Sequence, residues 1–172
     1  MSHAIVSKVK EGKNSTAIHS IEALKIAVEA MGLEFRDCEP RKGHYRTWKD
    51  KNGGWVGDWP LPEGVSADEM GDNADYVISV PASLDPHKTC YELGIVWDEA
   101  DQCWYPAHDF YAGGNGLERY IGATTVKGQQ VVKSHQTLMG NYRLAQTALR
   151  RRALGQKVEL TKQKEKLVLY IQ

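Results

Sequence analysis

The stretch of sequence that decides the fold is residues 91–110, which read YELGIVWDEADQCWYPAHDF. Two runs rich in β-branched and aromatic side chains, residues 91–97 and 103–110, flank the polar segment DEADQ. Runs of this composition favour strands, and a short polar segment between two of them favours a turn. We therefore predict a β-hairpin whose tip carries Asp98, Glu99 and Asp101.

The segments on either side of this hairpin each contain one predicted helix. Apolar side chains recur three and four positions apart in residues 21–31 and again in residues 138–149. This spacing is typical of an amphipathic helix that packs one face on a core. The expected N-caps are Ser20 and Ser134, and the expected C-terminal stops are Gly32 and Gly155.

The predicted strands are grouped along the chain instead of alternating one by one with helices. Besides the hairpin they cover residues 3–10, 33–35 and 76–80, with a closing hairpin over 158–160 and 167–171. This grouping indicates an α+β fold, with an antiparallel or mixed sheet and two helices packed on one face. A chain of 172 residues can bury one core, so we expect a single domain over residues 1–172.

A Trp-rich stretch, residues 41–73, interrupts this pattern. Asn52-Gly53 is a strong hairpin-turn signal, and Trp48 and Trp55 lie on either side of it. Proline, glycine and polar residues then continue to the end of the stretch. We therefore predict an exposed, Trp-rich hairpin or loop insertion within the domain.

Composition and motif spacing argue against several functional classes. No apolar run approaches the ~20 residues of a membrane span, and the three cysteines form no close pair, which favours reduced thiols in a cytoplasm. The Gly-rich residues 113–116 lack the spacing of a P-loop or a dinucleotide fingerprint. His108 lies near Cys90 and Cys103 in the sequence without the close pairs that zinc prefers, and buried thiols are favoured over a Cys–His nucleophile. We expect a cytoplasmic protein without catalytic residues, metal or cofactor.

Charge is distributed unevenly along a chain whose net charge is zero. Residues 52–126 hold two Lys or Arg against thirteen Asp or Glu, whereas residues 127–172 hold ten against two. Like charges crowded together cost free energy unless opposite charges offset them, so this segregation favours a binding surface. It also offers a route to a homo-oligomer, in which the acidic face of one copy meets the basic face of the next.

Two basic segments are candidate contacts for nucleic acid or for a protein partner. The first, in the insertion, mixes cations with rings, as single-stranded nucleic acid requires; its alternative is a hairpin that buries its Trp side chains on the sheet. The second is the end of the closing helix, where cations also complement the helix dipole. The candidates are Arg46, Trp48, Lys49, Lys51 and Trp55 in the first segment and Arg150, Arg151 and Arg152 in the second.

The hairpin tip is the candidate surface for a basic partner. Asp98, Glu99 and Asp101 bring three carboxylates into four residues, but the segment lacks the EF-hand pattern of Ca²⁺ sites. A charged hairpin tip that is simply solvated is the alternative.

Several short segments together resemble a known family. They are the opening residues 1–3, the helix of residues 20–32, residues 74–78 (ADYVI), residues 91–97 before Trp104-Tyr105, and the closing helix and hairpin of residues 142–171. They resemble the hypothetical chloroplast open-reading-frame thirty-five family of cyanobacteria and plastids, which also has phage-borne members. The resemblance implies a domain of unknown function and carries over no catalytic residue. It does not extend to residues 47–73, which shorter members lack.

From these observations the sequence predicts a non-enzymatic binding or adaptor protein that engages another macromolecule through segregated acidic and basic surfaces. A protein is the favoured partner, and the resemblance implies an accessory protein of the phage type. The alternative is a single-stranded DNA- or RNA-binding protein that uses the basic, aromatic insertion and the basic helix end.

Overall fold

The structure is a computed structural model that describes residues 4–13, 15–38, 42–47, 73–109, 112–126, 131–133, 135–164 and 166–172. Its strands are, in chain order, β1 (Ala4–Val6), β2 (Glu34–Asp37), β3 (Gly43–His44), β4 (Asn73–Ala74), β5 (Tyr76–Ser79), β6 (Leu93–Asp98), β7 (Cys103–Asp109), β8 (Thr124–Val126), β9 (Val131–Lys133), β10 (Val158–Gln163) and β11 (Lys166–Ile171). Its helices are α1 (Ile21–Ala30), α2 (Ala112–Asn115), α3 (Glu118–Ile121) and α4 (Gln136–Ala153).

The hairpin predicted over residues 91–110 forms the centre of a five-stranded sheet. Its strands β6 and β7 pair antiparallel, with Trp97 opposite Trp104 and Asp98 opposite Cys103. The strand order is β1-β7-β6-β5-β2, and each neighbouring pair is antiparallel. The predicted α+β class is therefore confirmed, and the sheet is antiparallel in the described part of the chain.

The two predicted helices, α1 and α4, pack on one face of this sheet. Apolar side chains of both helices form one buried cluster with inward-facing residues of β5 and β6, because alternate residues of a strand point to the same face. The fully buried members include Leu24 and Val28 of α1, Leu138 of α4, and Ile78 and Ile95 of the sheet.

The ends of the two helices follow the sequence signals at three of four positions. The Ser20 hydroxyl accepts a 3.2 Å hydrogen bond from the Ala23 N–H, and Gly32 follows α1 with a φ of +72°. Gly155 follows α4 with a φ of +77°. The predicted cap Ser134 is wrong, because the N-cap position of α4 is His135, whose side chain makes no capping hydrogen bond. The His135 ring is buried in the interior, which leaves it unable to act as a cap.

Tyr45 covers part of the other face of the sheet. The Tyr45 ring lies directly on Gly94 of β6, where an added Cβ would stand 2.7 Å from Tyr45 Cε1. Tyr45 forms a small buried cluster there with Ala74, Val77 and Ala107. The short strands β3 and β4 pair beside it, with Gly43 opposite Ala74. Of the insertion predicted over residues 41–73, residues 42–47 and 73 are described, and Tyr45 and Thr47 among them are buried. The candidates Trp48, Lys49, Lys51 and Trp55 lie outside the described residues.

Several short elements between β7 and α4 were not predicted. Residues 113–116 lie in and directly after α2 with φ values between +49° and +100°, in the left-handed region that glycine and asparagine tolerate best. Helix α3 and the hairpin β8–β9 follow. These elements span three or four residues each, which is too short for apolar periodicity to reveal.

The closing hairpin β10–β11 is confirmed and packs against α4. Its register places Leu160 opposite Leu169 and Lys162 opposite Leu167. Leu167 is buried in the main core and Leu160 packs against it, so this face of the hairpin is turned towards the helices.

Candidate functional site

The end of helix α4 is fixed to the start of the closing hairpin by a short set of hydrogen bonds. The guanidinium of Arg152 donates from Nε and Nη2 to the Val158 carbonyl, at 3.4 and 3.3 Å. The Gln156 N–H donates to the Arg151 carbonyl at 3.1 Å, and the Gln172 N–H donates to the Lys157 carbonyl at 3.1 Å. The last turn of the helix and the base of the hairpin therefore form one continuous surface.

This surface exposes apolar side chains as well as cations. Leu154 is 76% exposed, Ile171 52% and Tyr170 46%. In the described residues only Val6 and Leu84 are other large apolar side chains with comparable exposure. We call this region the C-terminal basic end, which consists of Arg150, Arg151, Arg152, Leu154, Lys157, Tyr170 and Ile171; Tyr170 and Ile171 are neighbours in β11 and point to opposite faces of the hairpin.

The cations of the C-terminal basic end are exposed and have no carboxylate partner in the described part of the chain. Arg151 donates to the Gln156 side chain at 3.2 Å, and Arg152 donates to a backbone carbonyl. None of Arg150, Arg151, Arg152 and Lys157 takes part in an ion pair with a described residue. Their positive charge is thus available to a partner. The predicted arginines are consecutive in the last turn of α4, where successive side chains point about 100° apart, so the three cannot all contact one small ligand. Leu154, Tyr170 and Ile171 were missed because no local pattern marks an apolar residue as exposed.

The carboxylates at the hairpin tip are engaged within the chain. Asp98 and Asp101 form ion pairs with Lys8 and Lys10, which follow β1; the Lys10–Asp101 distance is 2.6 Å. Hydrogen bonds from these lysines lower the pKa of both carboxyls. Glu99 accepts a 2.8 Å hydrogen bond from the Trp97 indole. The predicted acidic surface is therefore largely neutralised by cations that are distant in sequence.

Arg46, the described member of the predicted aromatic and basic segment, is also engaged internally. Its backbone N–H donates to Glu92 Oε2 at 2.8 Å, and its guanidinium donates to Glu92 Oε1 and to the Lys88 carbonyl. Its side chain is mostly buried. Arg46 thus holds residues 42–47 against the start of β6 and does not join the C-terminal basic end.

A buried pair of histidines lies where β7, α3 and α4 meet, and sequence reasoning gave no sign of His135. The rings of His108 and His135 are perpendicular, with centroids 5.4 Å apart, and both side chains are fully buried. His108 Nε2 lies 3.3 Å from Glu118 Oε1, while neither ring nitrogen of His135 has a partner in the described chain. Burial, and then the nearby His108, lowers the pKa of His135 to about 3. His135 is therefore neutral at physiological pH.

Other kinds of site find little support in the described residues. No group of three His, Cys, Asp or Glu side chains there is arranged to hold a metal ion. The three cysteines are free, and burial raises the pKa of the Cys90 thiol, which opposes a role as nucleophile. Among the described helices, none has the length and apolar character to cross a membrane.

Comparison with known proteins returned no family model, no curated protein and no solved structure that matches this chain. The resemblance to the hypothetical chloroplast open-reading-frame thirty-five family therefore stays a prediction.

Proposed function

We propose that this chain is a non-enzymatic binding or adaptor protein whose contact surface is the C-terminal basic end. Its partner is a protein that presents carboxylates around apolar side chains. The observation that carries the proposal is the exposure of Leu154 and Ile171 beside Arg150, Arg151 and Lys157, cations that have no carboxylate partner in the described chain.

The apolar side chains favour a protein over a nucleic acid. Burying a Leu or Ile side chain stabilises a complex by roughly 1.5–3 kcal/mol, but phosphates and sugars offer little apolar surface to cover it. The cations in turn would favour an acidic partner and exclude basic ones. Single-stranded nucleic acid stays the alternative prediction, with Trp48, Lys49 and Lys51 outside the described residues.

The test is fluorescence anisotropy with three probes. The first, called the acidic probe, is a labelled, N-acetylated peptide in which Glu alternates with Val and Thr. The others are labelled single-stranded DNA and phosphatidylserine vesicles. We expect the acidic probe to bind, and to bind more weakly as salt is raised from low concentration to about 0.15 M.

A charge variant with a matched control locates the contact. Arg150→Gln/Arg151→Gln/Lys157→Gln removes three cations and spares Arg152, which holds the hairpin. We expect it to lose about tenfold in affinity, since each exposed ion pair contributes roughly 0.2–1 kcal/mol. The control, Lys13→Gln/Lys25→Gln/Lys42→Gln, removes the same charge from exposed positions elsewhere. Equal losses in the two variants, or binding of DNA or vesicles but not of the peptide, would overturn the proposal.

A further inference from the structure

The closing hairpin β10–β11 is a two-stranded sheet, so each of its strands has an outer edge with which no other described strand pairs. An unpaired edge exposes backbone N–H and C=O groups that can pair with another chain. In an antiparallel pair, opposed residues alternate between those that bond to each other and those whose backbone groups point outward. The phase of this alternation decides which groups each edge exposes.

The base of the hairpin fixes that phase. The Gln172 N–H donates to the Lys157 carbonyl at 3.1 Å, so these two opposed residues bond to each other and the next pair points outward. The outward-pointing pairs are Val158 with Ile171, Leu160 with Leu169, and Lys162 with Leu167. Each edge therefore has three residues whose backbone groups face away from the hairpin.

Helix α4 engages one outward group of each strand. Near the tip, the Leu167 N–H of β11 donates to Asn141 Oδ1 at 2.9 Å. Near the base, the Val158 carbonyl of β10 accepts from Arg152 Nη2 at 3.3 Å. In the described chain no hydrogen bond engages the outward groups farther along, which belong to Leu160 and Lys162 on β10 and to Leu169 and Ile171 on β11.

Charge distinguishes the two edges. On β10, Arg152 lies at the base on the Val158 carbonyl, and Lys162 lies near the tip. Neither takes part in an ion pair with a described residue. The Lys162 ammonium stands 3.9 Å from the position that a Cβ on Gly32 would take, beyond the end of α1. On β11, residues 169–171 contain no charge. The outer edge of β10 is therefore the one that attracts carboxylates.

The two cations are spaced as side chains of an extended strand are. Val158, to which Arg152 is bonded, and Lys162 are four residues apart in β10, or about 13 Å along the edge. A segment that runs beside β10 has the same rise per residue, so carboxylates at its positions i and i+4 recur at this distance on one face. Glu159, the acidic residue of this stretch, points to the opposite face from Lys162. An acidic extended segment therefore matches both cations at once.

We propose that the partner binds by adding an extended acidic segment as a third strand along the outer edge of β10, pairing with Leu160 and Lys162. This inference rests on the proposed function and specifies its mode. The added strand lies about 4.8 Å from β10, and two of its carboxylates lie beside Arg152 and Lys162. Beyond the base of β10 the same segment continues onto the C-terminal basic end, to which Arg152 and Lys157 belong.

Neither a second copy of the chain nor a nucleic acid matches this edge as well. Pairing β10 with β10 of another copy about Leu160 would set Val158 opposite Lys162, and so bring Arg152 of one copy beside Lys162 of the other. Like charges brought together at an interface oppose association. A nucleic acid strand offers phosphates to the cations but lacks the regularly spaced N–H and C=O groups that complete a β-ladder.

Two substitutions at Lys162 separate backbone pairing from charge. Lys162→Pro removes an N–H that points away from β11, so the hairpin ladder is preserved, as is usual for proline on an edge strand. Lys162→Gln removes the same cation but keeps the N–H. We expect Lys162→Pro to bind the acidic probe about tenfold more weakly than Lys162→Gln, because a carbonyl of the added strand loses its donor. Equal affinities overturn the strand addition.

The matched control lies on the other edge of the hairpin. Ile171→Pro removes the outward N–H of β11 at that position, whereas Ile171→Ala shortens the side chain but keeps the N–H. We expect these two variants to bind the acidic probe with equal affinity. A difference between them, with none between the two Lys162 variants, would place the added strand on β11 and overturn the assignment.

Amide hydrogen exchange of the wild-type chain tests the same edge without a variant. Binding of the acidic probe should slow exchange at Leu160 and Lys162, because their N–H groups become donors to the added strand. Exchange at Leu169 and Ile171, whose N–H groups point outward on the other edge, should not change. Protection of Leu169 and Ile171 alone, or of none of the four amides, overturns the proposal.

A modified probe separates this inference from the proposed function. Two successive prolines at the centre of the acidic probe remove an N–H that faces β10 in either register, and should abolish binding. If the proline-containing probe binds as tightly as the original and still depends on Arg150, Arg151 and Lys157, the strand addition is wrong while the proposed function stands. If neither probe binds, both are wrong.

Discussion

The buried His135 predicts a specific loss of stability in acid. Its pKa is about 3 in the folded chain against 6.5 for a free histidine, so between these pH values the unfolded chain binds one proton more. Stability must therefore fall as the pH falls through this window, by about 1.4 kcal/mol per pH unit. Between neutral pH and a pH of about 4.5, the contribution of His135 amounts to roughly 2–3 kcal/mol.

His135→Leu removes the titrating group and replaces it with an apolar side chain of similar size. At neutral pH we expect this variant to be as stable as the wild type or more stable, because two buried nitrogens without partners in the described chain are removed. At a pH near 4.5, its free energy of unfolding should gain roughly 2–3 kcal/mol relative to that of the wild type. The pKa values of Asp85, Asp98 and Asp101 are also lowered, but these carboxyls are present in both proteins. Their contributions therefore cancel when the free energies of unfolding of variant and wild type are subtracted.

The assay is urea unfolding followed by circular dichroism at several pH values, with the free energy of unfolding compared between variant and wild type. His19→Gln, which removes an exposed imidazole, is the control and should follow the wild type at every pH. A stability difference between His135→Leu and wild type that stays constant from neutral pH to a pH of about 4.5 would refute the reasoning. It would mean that the folded chain binds a proton at His135 as readily as the unfolded chain does.

Two further substitutions test how local contacts hold the fold. Gly94→Ala places a Cβ 2.7 Å from the Tyr45 ring, and should lower the free energy of unfolding by about 1–3 kcal/mol in thermal or urea unfolding. Adding Tyr45→Leu should recover part of that loss, and no recovery would show that the cost arises elsewhere. At Asp85, burial raises the pKa, but hydrogen bonds from Thr89 and Cys90 outweigh this effect and hold it at about 2. Asp85→Asn should therefore destabilise the chain by about 1–3 kcal/mol at neutral pH, and the gap should close as the pH falls below about 4, where a pH-independent gap would contradict the assignment.

Local signals in the sequence predicted the larger elements of the fold correctly. The β6–β7 hairpin, the Ser20 cap and the Gly32 stop each depend on residues within a few positions of one another. The short helix α3 and the hairpin β8–β9 were missed because they span too few residues to show a period. The start of α4 was predicted one residue too early. The N-cap was expected at Ser134, but it is His135, whose imidazole is buried and makes no capping hydrogen bond.

The sequence predicted the cations of the candidate site, but not the contacts between residues that are far apart in the sequence. The basic helix end could be read directly from the run Arg150, Arg151 and Arg152. The neutralisation of Asp98 and Asp101 by Lys8 and Lys10 could not, since these residues are about ninety positions apart in the sequence and meet only because β1 pairs with β7. Charge counts over segments of sequence therefore overstated the acidic surface.

The pairing of Gly43 with Ala74 affects how far the segment between β3 and β4 can change in length. Because β3 and β4 lie side by side, the two points at which the segment between them leaves and rejoins the domain are neighbouring strand positions. Closing a flexible loop costs only about 0.6 kcal/mol more for each doubling of its length. We therefore expect changes of length within residues 48–72 to cost little free energy, as long as Tyr45 stays packed on Gly94.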